Sequence, residues 1–202
     1  MSMKLYCSHT SPFARKVRVL IREKGATAHV SEETISALED PPALHEANPL
    51  GKIPALIMPD GTSWFDSPLI CEFLDVTLEG PQMIPASHIE RFRVLRHQAI
   101  ADGIMDAAVS IVFERARPEA QRSDMWIGRW SRAISRSLAI LEDEVVSLDG
   151  PVDLGPIAVG TALGYLDFRH PDMKWQDSQT ELAGWWRDFA KRPSFTETAP
   201  PA

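Results

Sequence analysis

The pattern of apolar positions changes repeatedly along residues 1–80, which is typical of alternating strands and helices. Short apolar runs predict four strands, at residues 4–7, 28–31, 55–58 and 62–65. The turn residues between the last two favour a hairpin. Helical spacing predicts one helix that ends at Gly25 and another that ends before Gly80. We therefore expect an α/β domain over residues 1–80.

Beyond Pro85 the apolar positions keep a helical period, and no strand is predicted. Successive helical faces begin at Phe92, Trp126, Leu154 and Leu182. A stretch rich in proline separates the two patterns, so we expect a linker over residues 81–87 and an all-α domain over residues 88–202.

The composition is that of a globular protein, with 44% hydrophobic and 24% charged residues among 202. The formal net charge of −7 disfavours a nucleic-acid partner, because phosphate binding needs a positive surface. Cys7 and Cys71 are too few for a disulfide framework or a four-ligand zinc site, so we expect no metal. No apolar run reaches the roughly 20 residues of a membrane helix. We therefore expect a cytoplasmic protein that binds no membrane.

Serine followed by proline precedes two of the predicted helices, as Ser11-Pro12 and Ser67-Pro68. Serine is a good N-cap, and proline suits the first helical turn, where its missing amide proton is not needed. One interpretation is simply two well-capped helices. The other is that both N-termini present amides to an anion, with Asp66 as an acceptor for a cation. The local pattern leaves both interpretations open.

Ile53-Pro54 precedes the third predicted strand, in a loop that begins at Asn48. A proline there can simply start an edge strand, and only about 5% of X-Pro bonds are cis. A cis bond would instead free the backbone of Ile53 for antiparallel pairing with a peptide-like ligand. Both isomers stay open.

Four segments carry a resemblance to a known family: Thr10-Ser11-Pro12-Phe13-Ala14-Arg15-Lys16, Asn48-Pro49-Leu50-Gly51-Lys52-Ile53-Pro54-Ala55-Leu56, Trp64-Phe65-Asp66-Ser67-Pro68-Leu69-Ile70 and Leu166-Asp167-Phe168-Arg169. Their order and spacing resemble the cytosolic glutathione S-transferases, near the small bacterial, theta-like members of the serine type. The resemblance covers nearly the whole chain. It implies a thioredoxin-like N-terminal domain, an all-helical C-terminal domain, a homodimer, glutathione as co-substrate and a role in detoxification.

The resemblance gives Ser11 the place of the catalytic serine, whose hydroxyl donates a hydrogen bond to the glutathione sulfur and favours the thiolate. Relatives with cysteine at this place form a mixed disulfide, so serine favours transfer over thiol–disulfide exchange. Lys52 is a candidate to bind the glycyl carboxylate, and a solvated surface lysine is an equally good interpretation. Cys7 and Cys71 are expected to be buried packing residues. The glutathione-binding positions that the resemblance implies are Thr10, Phe13, Lys52, Ile53, Pro54, Asp66 and Ser67.

Asp102 and Asp106 resemble acidic residues that in some relatives reach towards the partner's glutathione across the dimer, although ordinary surface or packing aspartates are the simpler interpretation. The electrophile is expected between the two domains, against an apolar stripe of α-helical spacing, although such a stripe is usually core packing. The stripe consists of Met105, Val109, Val112 and Phe113.

The activity expected from the resemblance is conjugation of the glutathione thiolate to small hydrophobic electrophiles. Two alternatives stay open. One is a glutathione-binding or partner-binding protein with little turnover, because folds of this kind also serve as binding modules. The other is a glutathione-dependent peroxidase or dehalogenase.

Overall fold

The structure, a computed structural model, describes residues 2–201. Its strands are β1 (Met3–Cys7), β2 (Val30–Thr34), β3 (Ala55–Ile57) and β4 (Ser63–Trp64). Its helices are α1 (Pro12–Glu23), α2 (Pro42–Ala47), α3 (Ser67–Thr77), α4 (His88–Ala116), α5 (Asp124–Asp143), α6 (Leu154–Arg169), α7 (Thr180–Phe189) and α8 (Pro193–Thr196). Short 3₁₀ turns join several of these elements.

The four strands form one sheet in the order β2-β1-β3-β4. β2 is parallel to β1, β3 is antiparallel to β1, and β3 and β4 form the expected hairpin. The strand expected at residues 28–31 instead occupies Val30–Thr34. Only Val30 of that strand is buried. The four residues after it are polar, so the strand lacks the alternation of apolar and polar residues by which a half-buried strand is recognised in a sequence. The first unit is thioredoxin-like, with α1 and α3 accompanying a mixed sheet.

Contacts divide the chain into two compact units, Phe92–Arg192 and the remaining residues. The expected domain borders were 1–80, 81–87 and 88–202. The structure instead groups the linker, the start of α4 and the segment from Pro193 onward with the sheet. The segment joins the first unit because α8 packs on α1, where Phe195 is buried.

The second unit is built from helices around α6, as the apolar run from Leu154 predicts. All residues of α6 from Leu154 to Leu166 are buried. No helix within residues 2–201 is long and apolar enough to cross a membrane.

Candidate functional site

Three loops meet at one edge of the sheet. β1 and β4 end there and β3 begins there, because Tyr6 pairs with Ala55 and Leu56 pairs with Trp64 in antiparallel ladders. β1 leads to the start of α1, β4 leads to the start of α3, and Ile53-Pro54 stands in front of β3. The fold therefore brings together three segments that lie far apart in the chain.

Ser11 is the N-cap of α1, as its sequence context predicts. Its Oγ accepts a hydrogen bond from the Ala14 amide at 3.3 Å, and the side chain is half-buried. This bond uses a lone pair of the oxygen, so the hydroxyl hydrogen stays available to donate. The first turn of α1 carries no acidic residue that would neutralise the positive end of the helix dipole. The Ser11 hydroxyl is thus a donor at an electropositive helix start.

The start of α3 differs from the expected serine cap. Asp66 occupies the N-cap position without a capping side-chain bond, and Ser67 is the first helical residue. Ser67 is only 1% exposed, yet its Oγ has no hydrogen-bond partner within residues 2–201. A buried hydroxyl without a partner is rare in folded proteins. Beside it the Asp66 carboxylate is exposed.

The Ile53-Pro54 peptide bond is cis, and so is the bond between Phe65 and Asp66. Asn48 holds the loop in front of β3: its Nδ2 donates to the Lys52 carbonyl at 2.7 Å, and its Oδ1 accepts from the Leu50 amide at 3.0 Å. Asn48 is buried, whereas the Lys52 side chain is exposed.

Asn48 was not among the predicted site residues. The signal that could have found it is its place before Pro49 and Gly51, because asparagine often bonds the backbone two residues on in turns. Gly51 has a φ of +62°, which suits glycine.

The other predicted glutathione-binding residues of this unit also lie near the sheet edge. Thr10 and Phe13 flank the cap of α1 and are half-buried, and Pro54 is buried. Cys7 and Cys71 are buried, and neither is part of a disulfide. Burial raises the pKa of Cys7 to about 11, so that thiol stays protonated at neutral pH. Within the part of the chain that the structure describes, no His, Cys, Asp and Glu residues gather into a group able to hold a metal ion.

The remaining predicted residues lie on α4 in the second unit. Asp102 is half-buried and Asp106 is exposed. The apolar stripe is uneven, because Met105 is fully buried and Phe113 is 52% exposed. Val109 and Val112 are half-buried between these extremes. Val109, Val112 and Phe113 therefore present apolar surface outside the core of this unit, and Met105 does not.

Known proteins are similar to this chain in sequence and in fold. The profile of the glutathione S-transferase N-terminal domain matches residues 10–77. A protein of Escherichia coli (strain K12), called uncharacterized GST-like protein YibF, is 40% identical over 204 residues, or 98% of this chain and 99% of the relative. This chain belongs to the glutathione S-transferase family.

Solved structures of similar transferases contain glutathione. A glutathione transferase family member from Pseudomonas fluorescens Pf-5 with bound glutathione is 40% identical, has a TM-score of 0.96 and matches over 100% of both chains. Another structure from that organism, with bound S-(propanoic acid)-glutathione, is 38% identical, has a TM-score of 0.90 and matches over 100% of this chain and 98% of the other chain. The first binds the tripeptide and the second binds a thioether of it.

Proposed function

We propose that the protein is a glutathione transferase that conjugates the glutathione thiolate to small hydrophobic electrophiles, with Ser11 stabilising the thiolate. The observation that carries this proposal is the half-buried Ser11 hydroxyl, which caps α1 with its oxygen and keeps its hydrogen to donate. Membership of the family and the glutathione in similar structures support glutathione as the ligand.

Ser11 acts on the sulfur before the bond-forming step. A hydrogen bond from its hydroxyl, together with the α1 amides, favours the thiolate over the thiol, and the proton lost from sulfur passes to water. The sulfur then supplies the electron pair for a new sulfur–carbon bond. The electrophile either releases a leaving group with its bonding electrons or takes up a proton from water at the neighbouring atom. Burial keeps Cys7 protonated, so this cysteine does not compete as a nucleophile.

The γ-glutamyl end of glutathione is proposed to bind at the start of α3. The unpaired Ser67 hydroxyl would donate to its carboxylate, and Asp66 would accept from its amino group. The backbone of Ile53 would pair with the cysteinyl residue, since the turn and loop hydrogen bonds within residues 2–201 do not use its amide or carbonyl. Thr10, Phe13, Lys52 and Pro54 complete the proposed site, with Lys52 reaching the glycyl carboxylate.

The electrophile is proposed to contact the exposed part of the α4 stripe, at Val109, Val112 and Phe113 rather than at the buried Met105. The bound S-(propanoic acid)-glutathione in the similar structure supports a site with room for a substituent on the glutathione sulfur. We keep Asp102 and Asp106 as proposed contacts to the partner subunit's glutathione.

The test compares Ser11→Ala with Ser8→Ala, a matched control in the same loop that lies outside the proposed site. We expect Ser11→Ala to lower the conjugation rate with an aryl halide or an acrylate at least about 100-fold, in line with loss of an electrostatic stabiliser. Glutathione affinity, measured by calorimetry at a pH where the bound thiol is protonated, should change little. Unchanged turnover in Ser11→Ala would refute the assignment. Tight glutathione binding without conjugation or peroxide reduction by the wild-type protein would favour a binding role instead.

We also propose a cytoplasmic homodimer with a role in detoxification. Cys7 and Cys71 form no disulfide, which suits a reducing compartment. Exposed apolar side chains on α3 and at the start of α4 suit an interface between two copies, since large exposed apolar groups often mark contact sites.

A further inference from the structure

A short segment late in the chain, Pro193 to Thr198, packs along α1, and we call it the return segment. Arg15 Nη2 donates to the Phe195 carbonyl at 3.0 Å, and Arg15 Nε donates to Thr198 Oγ1 at 3.5 Å. At the other end of α1, Ser194 Oγ donates to the Glu23 carboxylate and Arg22 pairs with Glu197 at 3.2 Å. The return segment thus contacts α1 in both its first and its last turns.

Arg15 is a buried cation whose direct hydrogen-bond partners within residues 2–201 are uncharged. It is 7% exposed, and its guanidinium lies over the Phe195 ring at 5.4 Å. No carboxylate within residues 2–201 pairs with it, whereas Arg18 and Arg22 both pair with Glu32 at 2.6 Å. Burial, with repulsion from Arg18, lowers the pKa of Arg15 to about 10. Arg15 therefore keeps its charge at neutral pH without an opposite charge to balance it.

The backbone of Arg15 lies one turn from the cap of α1. The Arg15 amide donates to the Ser11 carbonyl at 3.0 Å and so closes the first turn of the helix. A charge in a buried site acts over a longer distance than an exposed one, because water and salt screen it less. An uncompensated cation at this place favours any anion formed beside Ser11.

We propose that Arg15, held by the return segment, is a positioning residue that lowers the pKa of the glutathione thiol bound beside Ser11. The inference rests on the proposed function. Arg15 does not touch the sulfur; its charge adds to the effect of the α1 amides and the Ser11 hydroxyl. The return segment is then part of the activating machinery, because Phe195 and Thr198 hold the guanidinium in place.

The experiment measures the thiol pKa of bound glutathione from the ultraviolet absorbance of the thiolate during a pH titration of the full chain. Arg15→Met removes the charge but keeps an apolar side chain of similar length, and it should raise the thiol pKa by about half a unit or more. Arg15→Lys should restore much of the shift. Thr198→Val is a nearly isosteric change that removes one hydrogen-bond acceptor of Arg15, and it should raise the thiol pKa by a smaller amount. This variant replaces Arg15→Met as the test if Arg15→Met does not fold.

Arg18→Gln is the matched control, since it removes a buried arginine of the same helix that pairs with Glu32 and not with the return segment. It should leave the thiol pKa unchanged. The inference is overturned if neither Arg15→Met nor Thr198→Val moves the thiol pKa, or if Arg18→Gln moves it equally. Ser11→Ala in the same titration separates the two proposals. An unshifted thiol pKa there refutes the proposed function, whereas a shift there without one in the Arg15 and Thr198 variants refutes only the role of Arg15.

Discussion

At the scale of single residues, Ser67 allows the proposed γ-glutamyl site to be tested separately from stability. Its buried hydroxyl has no partner in the protein, so removing it deletes no internal hydrogen bond. We expect Ser67→Ala to weaken glutathione binding roughly 10-fold, the usual effect of losing a hydrogen bond to a charged group. The melting temperature should stay the same or rise slightly. Calorimetry and thermal unfolding check the two expectations.

Ser135→Ala is the matched control for Ser67, because Ser135 is an exposed helical serine whose hydroxyl donates to its own helix at the Ser131 carbonyl. It should change neither quantity. A Ser67→Ala variant that binds glutathione as tightly as the wild type contradicts the placement of the γ-glutamyl carboxylate at α3.

His97 makes the stability of the second unit depend on pH. It is 1% exposed; its Nε2 lies 3.2 Å from Glu144 Oε2 and 3.3 Å from Ser147 Oγ, and its Nδ1 has no partner within residues 2–201. Burial lowers the pKa of His97 below 6.5, aided by Arg93 and Arg96 and opposed by Glu144. Burial also lowers the pKa of His170, whose Nε2 bonds the Ala108 carbonyl at 2.9 Å.

Because the folded pKa of His97 is lowered, the unfolded chain takes up its proton first as the pH falls. The contribution to stability is therefore complete above the unfolded pKa of about 6.5 and decreases below it. We expect the free energy of unfolding to fall between about pH 7.5 and about pH 5.5, above the range where carboxylates titrate. His97→Gln should flatten this slope in denaturant titrations, whereas the exposed control His88→Gln should not. An equal slope in all three proteins would contradict the assignment.

At the scale of elements, a buried ion pair fastens the linker to α1 and α3. Lys24 Nζ donates to Asp75 Oδ1 at 3.0 Å and to the Pro81 carbonyl at 2.9 Å, while the Asp75 carboxylate accepts from the Met83 and Ile84 amides at 2.8 and 2.9 Å. The two side chains are 1% and 4% exposed. Gly80 fits beside them because a Cβ there would lie 2.5 Å from the Lys24 carbonyl oxygen.

We expect Lys24→Met to lower the free energy of unfolding by about 3–5 kcal/mol, because it leaves the buried Asp75 charge without its cation. Lys4→Met is the control: its ion pair with Glu33 is exposed, so the loss should stay below about 1 kcal/mol. Chemical denaturation measures both. If the two variants lose similar free energies of unfolding, burial of the Lys24–Asp75 pair does not increase its contribution to stability.

Elements governed by local sequence were predictable, and those governed by distant contacts were not. The α1 cap and the apolar α6 follow from residues close in the chain, as does the hairpin of β3 and β4. β2 was misplaced because parallel pairing with β1, rather than an alternating pattern, determines where it lies. α8 was missed because Phe195 is its one large apolar residue and packs against Arg15, 180 positions earlier. In the site, sequence could suggest Ser11 and Ser67, but only the sheet register brings them to one edge.

At the scale of the whole molecule, the proposed homodimer is testable on α3. Val76 is 81% exposed and Leu69, seven residues earlier on the same helix face, is 44% exposed; Ile89 nearby in the chain is 77% exposed. Val76→Glu should therefore convert a dimer to monomers, because it would bury an unpaired charge in each copy. Light scattering coupled to size exclusion measures the mass.

Val146→Glu is the control for Val76, since Val146 is 80% exposed but stands apart from α3 in the chain. It should leave the mass unchanged. A monomeric wild type, or a Val76→Glu protein that stays dimeric, would contradict an interface at α3.

The return segment has a consequence for synthesis on the ribosome. Its contacts with Arg15 join residues 180 and 183 positions apart, so the whole second unit is translated before those contacts can form. Domains tend to fold in the order in which they emerge. Here the first unit begins to emerge first, but its folding should be completed late. The Arg15 side chain should stay exposed to solvent until the return segment leaves the exit tunnel.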